Sequence, residues 1–110
     1  MDLKRTPLAS HALDWPLVAV KTVRLEFEPG QKTGLHFHAM PVLGFVAEGA
    51  FIVQQEGGGE RRYEQGEVVL EPAQVKMMRF DNASPTRPAV LIATYLVRDE
   101  GEKLIEFLEA

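Results

Sequence analysis

The sequence predicts an all-β fold, a sandwich or a barrel, and three observations carry that prediction. Apolar residues fall into roughly seven to nine short runs of β-favouring types, at the roughly 8–12-residue spacing of such folds. Glycine, proline and charged clusters separate the runs. Val23-Arg24-Leu25-Glu26-Phe27-Glu28 alternates strictly, with the apolar residues at odd positions, which is the pattern of a half-buried strand. There is no internal repeat and no low-complexity segment.

Residues 1–16 are mixed in character, hold Pro7 and Pro16, and read as an N-terminal arm ahead of a barrel over residues 17–110. Pro29-Gly30 turns the chain after the first strand. Val42 to Ala47 is almost wholly apolar, and Gly49 closes it before Phe51-Ile52-Val53. Gly57-Gly58-Gly59 reads as a hairpin tip, because three glycines sit poorly inside a strand. Gly66 to Leu70 is a turn and a short strand stopped by Pro72, and Val75 to Phe80 is another, ended by Asp81-Asn82-Ala83-Ser84-Pro85. Asn82-Ala83-Ser84 has the form of a glycosylation sequon and is read more simply as a turn. Ala89 to Val97 is apolar at both parities, which predicts cover on both faces. In the tail, Leu104, Phe107 and Leu108 have helical spacing, but the position favours a last strand.

The chain has 110 residues, enough for one core and one domain. Its 45% hydrophobic and 25% charged residues are those of an ordinary globular protein. Twelve Lys and Arg against 16 Asp and Glu give a net charge of -4, with no basic run, so no nucleic-acid partner is expected. The absence of cysteine excludes a disulfide scaffold, a thiolate metal site and a cysteine nucleophile, and it fits a reducing compartment. Nothing resembles a signal peptide or a membrane span. The expectation is a cytoplasmic protein with no membrane partner.

Chemistry concentrates at His36-Phe37-His38. In an extended strand alternate side chains share a face, so His36 and His38 stand side by side with Phe37 turned away. Two neutral imidazoles aimed at one point begin a site for zinc, iron, copper or nickel. The only other histidine, His11, reads as exposed or as a cap over the pocket.

Gly30-x5-His36-x-His38 followed by Gly49 resembles the first motif of the cupin family, and Gly66-x5-Pro72, continuing to Asn82-Ala83-Ser84, looks like the second. The resemblance spans roughly residues 17–108 and suits a small single-domain cupin. It implies a double-stranded β-helix, or jelly-roll, barrel whose open end binds a metal with residues of both motifs. Family sites usually combine the two histidines, a nearby Glu or Gln, and a histidine of the second motif. Here the carboxylate position is Val42, and the second-motif histidine falls at Met77. Pro72 is followed by Ala73-Gln74 where the family more often has glycine. Two of the four implied ligands are therefore present.

Three readings of the pair stand. In the first, His36 and His38 bind a divalent ion (Zn, Fe, Mn or Ni), with water or substrate completing the shell. In the second, they hydrogen-bond to each other, to water or to an organic ligand in a metal-free pocket. In the third, Met77 and Met40, which shares their parity, supply thioethers for copper(I), against the commoner use of methionine as core filling. Val42, Met77, Met78, Arg79 and Phe80 are the expected pocket residues. If Met77 faces inward, Arg79 accompanies it and suits a carboxylate or phosphate; if Met78 does, Phe80 and Asn82 accompany it. Alternatively Arg79 lies outside beside an acid. Glu48, about 20 Å from Val42 along a straight strand, is badly placed as a substitute ligand. Glu71, at a strand end before Pro72, is expected to be solvated. Trp15 and Tyr95 suit packing or a subunit contact as well as substrate stacking.

The function expected is a small-molecule-binding cupin, metal-dependent and of oxygenase, isomerase or lyase type if it is an enzyme. The alternative is a metal-free, non-catalytic ligand-binding or sensor domain. The apolar run Ala89–Val97 and the N-terminal arm suit a homodimer.

Overall fold

The alternation of Val23, Leu25 and Phe27 becomes strand β1 (Ala19–Phe27), followed by β2 (His36–Phe37), β3 (Val42–Glu48), β4 (Ala50–Gln55), β5 (Arg61–Glu64), β6 (Val68–Glu71), β7 (Met77–Asn82), β8 (Ala89–Val97) and β9 (Glu106–Phe107). The structure is a computed structural model that describes residues 3–13 and 16–108; Trp15 lies outside them. No helix occurs among the described residues, so none is long and apolar enough to cross a membrane. Residues 3–13 are exposed and form no strand.

Two antiparallel sheets face each other, in the strand orders β1-β8-β3-β6 and β5-β4-β7-β2-β9. Both mix strands from distant parts of the chain, which is the jelly-roll arrangement. The core between them includes Val42, Val46, Phe51, Val53, Val69, Met77, Phe80 and Leu91. Phe51 is fully buried and meets Phe27 edge to face, with centroids 4.9 Å apart, and Phe80 at 5.4 Å. Gly57 to Gly59 lie in the turn that joins β4 to β5. Asn82-Ala83-Ser84 links the two motifs: the Asn82 amide donates to the Glu28 and Arg87 carbonyls, and Gly30 N–H donates to the Ser84 carbonyl.

Three sequence expectations are refined here. β8 lies between β1 and β3, and its inward residues are buried while Ile92, Thr94 and Leu96 are only half-buried. On its outer face Ile92 and Leu96 continue an apolar surface with Val20, Leu43 and Phe45, while Thr94 pairs with the Thr22 hydroxyl. The tail ends in strand β9, paired with β2, because the edge of the second sheet offers its backbone groups partners. In β7 the pairing with β4 shifts by one residue, from Gln54↔Arg79 to Gln55↔Met77. This bulge breaks the alternation on which both orientations of β7 were built. Met77 and Phe80 therefore both point inward, while Met78, 39% exposed, and Arg79 point out.

Gly49 explains the closing glycine of the first motif. Its φ of +76° favours glycine, and a β-carbon there would lie 3.0 Å from Ala89 Cβ and 3.1 Å from the Pro88 carbonyl oxygen. Gly49→Ala is expected to lower the unfolding free energy by about 1–3 kcal/mol in urea titration. An unchanged midpoint would show that the β3–β4 turn can relax.

Candidate metal centre

His36 is held in β2 between β7 and β9, opposite Met77 and Phe107, and His38 follows two residues later on the same face. Both rings are buried, with centroids 5.1 Å apart. Each ring is oriented by a backbone carbonyl. His36 Nδ1 donates to Gly34 O at 2.8 Å, and His38 Nδ1 donates to Leu104 O at 2.6 Å. A carbonyl can only accept, so each Nδ1 carries the hydrogen and each Nε2 is turned to the interior.

Both Nε2 atoms meet the same carboxylate oxygen. Glu71 Oε1 lies 3.0 Å from His36 Nε2 and 3.3 Å from His38 Nε2. Glu71 is 5% exposed, which overturns the expectation of a solvated strand end. Two local features cover that end. Val42 on β3 stands directly opposite Glu71 on β6, so Glu71 shares the inward face of Val42 and Val69. Beyond it, Pro72-Ala73-Gln74 folds back so that Gln74 N–H donates to the His38 carbonyl, with Gln74 at a φ of +59°. That backbone conformation is where glycine would normally sit.

Val42 thus remains apolar, and the adjacent strand supplies the carboxylate from the position facing it. His36, His38 and Glu71 offer one ligand atom each, all within 4.8 Å of one another, and form the one such group among the described residues. Two imidazole lone pairs and a carboxylate oxygen are all acceptors, so the point where they meet requires a cation, either a proton or a metal ion. Separations of 3.0 and 3.3 Å suit ligand atoms bound about 2.1 Å from one shared ion. The donor set therefore fits a divalent transition metal.

The remaining expected residues lie elsewhere. A cavity of about 30 Å³ adjoins the three ligands, lined also by Leu25, Phe27, Thr33, Phe80, Leu91, Ala93, Tyr95 and Ile105. Phe80 lines it. Met77 and Val42 are buried in the core rather than on its wall, and Met40 is buried beside Leu96 and Leu104. The copper reading has no thioether on the cavity wall to support it. Met78 and Arg79 do not reach the cavity because of the β7 bulge, and Arg79 pairs with Asp81 and Glu60 on the outside. His11 and Glu48 are exposed and stand apart from the cluster.

Burial pushes the Glu71 carboxyl up, but hydrogen bonds and charge from His36 and His38 outweigh it and hold the group below its usual range. Burial likewise pulls His38 down, and the Glu71 hydrogen bond and charge, with the Leu104 carbonyl, raise it overall.

The cupin-domain family model matches residues 23–95. This chain belongs to the cupin family. Its fold is similar to that of a cupin-like protein from Thermotoga maritima, with 25% identity and a TM-score of 0.68 over 83% of this chain and 65% of that one. It is also similar to the DMSP lyase DddQ of Ruegeria pomeroyi, with 18% identity and a TM-score of 0.66 over 80% of this chain and 42% of the lyase. An oxalate oxidase in complex with glycolate gives 24% identity and a TM-score of 0.65 over 81% of this chain and 46% of the oxidase. The chain thus spans less than two thirds of each of these proteins. A search of curated proteins found no match.

The coupled charges fix a pH dependence for the metal-free protein. The raised His38 value contributes stability that is full below its ordinary 6.5 and is lost as pH rises through the folded value. The lowered Glu71 value contributes stability that is full above its ordinary 4.5 and is lost as pH falls through the folded value. Thermal melts in chelator should therefore show greatest stability between about pH 4.5 and 6.5. Glu71→Gln should remove the decline on the alkaline side; a wild-type profile that is flat there would contradict the ion pair.

Proposed function

We propose that this chain is a metal-dependent cupin enzyme in which His36 Nε2, His38 Nε2 and the Glu71 carboxylate hold one divalent first-row ion. The observation that carries the reading is the convergence of these three acceptors, with both Nδ1 atoms committed to carbonyls. Structural zinc sites close their shell with four protein ligands, whereas three leave positions for water and substrate. Two histidines and a carboxylate make the set used by non-haem iron(II), and manganese, nickel and zinc accept the same donors. When bound, such an ion polarises a substrate oxygen or activates a ligand for redox chemistry.

The chain's own residues do the rest. The Gly34 and Leu104 carbonyls hold the imidazoles in the ligating tautomer, and Glu71 offsets part of the ion's charge. Phe27, Phe80, Leu91 and Ile105 line the space beside them with hydrocarbon. Oxygenase, isomerase and lyase chemistry all remain open to this site, since the fold does not select among them. The proposed setting is cytoplasmic. The outer face of the four-stranded sheet, with Val20, Leu43 and Phe45 exposed, supports pairing of two copies.

Untagged protein loaded with Fe(II), Mn(II), Ni(II) or Zn(II) and dialysed should retain about one equivalent by elemental analysis. His36→Ala should abolish retention, and Glu71→Gln should weaken it by more than the roughly 10–100-fold that loss of an outer-shell partner costs, since Glu71 is itself a donor. Wild-type protein that retains none of the four would overturn the reading in favour of a metal-free ligand-binding domain. For the pairing, light scattering should give a dimer that Phe45→Lys converts to monomer; an unpaired wild-type chain would refute it.

A further inference from the structure

One of the two histidines is fixed from within its own segment and the other is not. Gly34, whose carbonyl holds His36, lies two residues before it, whereas the Leu104 carbonyl that holds His38 arrives on the segment after β8. That segment turns at Asp99-Glu100-Gly101, all three exposed, where Glu102 N–H donates to the Asp99 carbonyl at 3.1 Å and Gly101 takes a φ of +89°. It then crosses the site. Ile105 forms part of the cavity wall, and Phe107, 64% exposed, faces His36 with ring centroids 6.2 Å apart. Its pairing with β2 covers two residues, and Leu108 N–H donates to the Leu35 carbonyl at 2.9 Å. Every residue from 98 to 108 is exposed or half-buried, so little apolar burial holds the segment down.

We infer that residues 102–108 form a strap that opens about the Asp99-Glu100-Gly101 turn, and that its closure is coupled to metal occupancy of His36, His38 and Glu71. This inference rests on the metal-dependent reading above. The link is the hydrogen bond from His38 Nδ1 to Leu104. His38 ligates through Nε2 while Nδ1 keeps its hydrogen, and the Leu104 carbonyl is the group that accepts it. A closed strap therefore favours the ligating form of His38. In return, an imidazole polarised by a cation is the stronger donor and holds the carbonyl more tightly. The coupling is reciprocal: the factor by which closure tightens metal binding is the factor by which metal favours closure. Loss of an outer-shell partner weakens metal binding by roughly 10–100-fold, which sets the size of both effects. Opening withdraws Ile105 from the cavity wall and Leu104 from His38 in one movement. The strap thus gates access to the metal centre and loosens its hold on the ion when it lifts.

The test is amide hydrogen exchange of the full-length protein, in chelator and with saturating Zn(II). In chelator the amides of residues 105–108 should exchange well before those of β8, which marks an opening of the strap alone. Zinc should then slow the strap amides by about tenfold or more. A chain ended at Lys103 supplies a second measurement, with zinc affinity by calorimetry expected to fall by about 10–100-fold. Strap amides that exchange no faster than β8 in chelator, or at the same rate with and without bound zinc, would overturn the inference while leaving the metal site standing. A shortened chain that folds and binds zinc as tightly as wild type would do the same, and if that chain does not fold, the exchange rates decide. Failure of the wild-type protein to take up zinc would instead count against the metal reading and overturn this inference with it.

Discussion

A carboxylate buried between two imidazoles is the constraint on which the site end of this barrel depends. Glu71 cannot remain charged at 5% exposure without partners, and His36 and His38 supply them. That arrangement in turn needs both rings fixed, which the carbonyls of Gly34, two residues before His36, and of Leu104, 66 residues after His38, accomplish. The loop before β2, the turn after β6 and the C-terminal segment therefore meet at one point. A change in any of them alters the charge pair at the centre.

The β7 bulge has the second wide consequence. One extra residue lets Met77 fill the core beside β2 while Phe80 turns onto the cavity wall, and it leaves Arg79 to pair outside with Asp81 and Glu60. In an unbroken strand either the guanidinium or Met78 would have shared the interior. The bulge thus lets Met77 face inward without bringing Arg79 with it. It makes Glu71 and any bound ion the dominant charges there.

The fold places this chain beside proteins with quite different activities, a lyase and an oxidase among them. Such breadth is expected of a barrel whose open end is furnished by a few side chains. The donor set and the wall chemistry, rather than the architecture, therefore bear the functional reading. The displaced carboxylate is instructive here, because the position facing Val42 across β3 and β6 presents a side chain to the same space. A ligand can move to the neighbouring strand without moving far in the site.

Much of this was legible in the sequence, because the signals involved are local. Strand alternation, the Pro29-Gly30 and Gly57-Gly58-Gly59 turns, and the parity of His36 and His38 depend only on backbone geometry over a few residues. The two motifs carried the family. Glu71 was not legible, since its burial depends on a partner 29 positions earlier, Val42, and on a turn that covers the strand end. Nor was the orientation of Met77, Met78 and Phe80, because a bulge is a mismatch between two strands and neither strand records it alone. The sequence by itself determined that the fold is all-β and that His36 and His38 share a face, because both follow from backbone geometry over a few residues. Tertiary pairing decided which donors converge, because register between distant strands, not spacing along one, brings side chains to a common point.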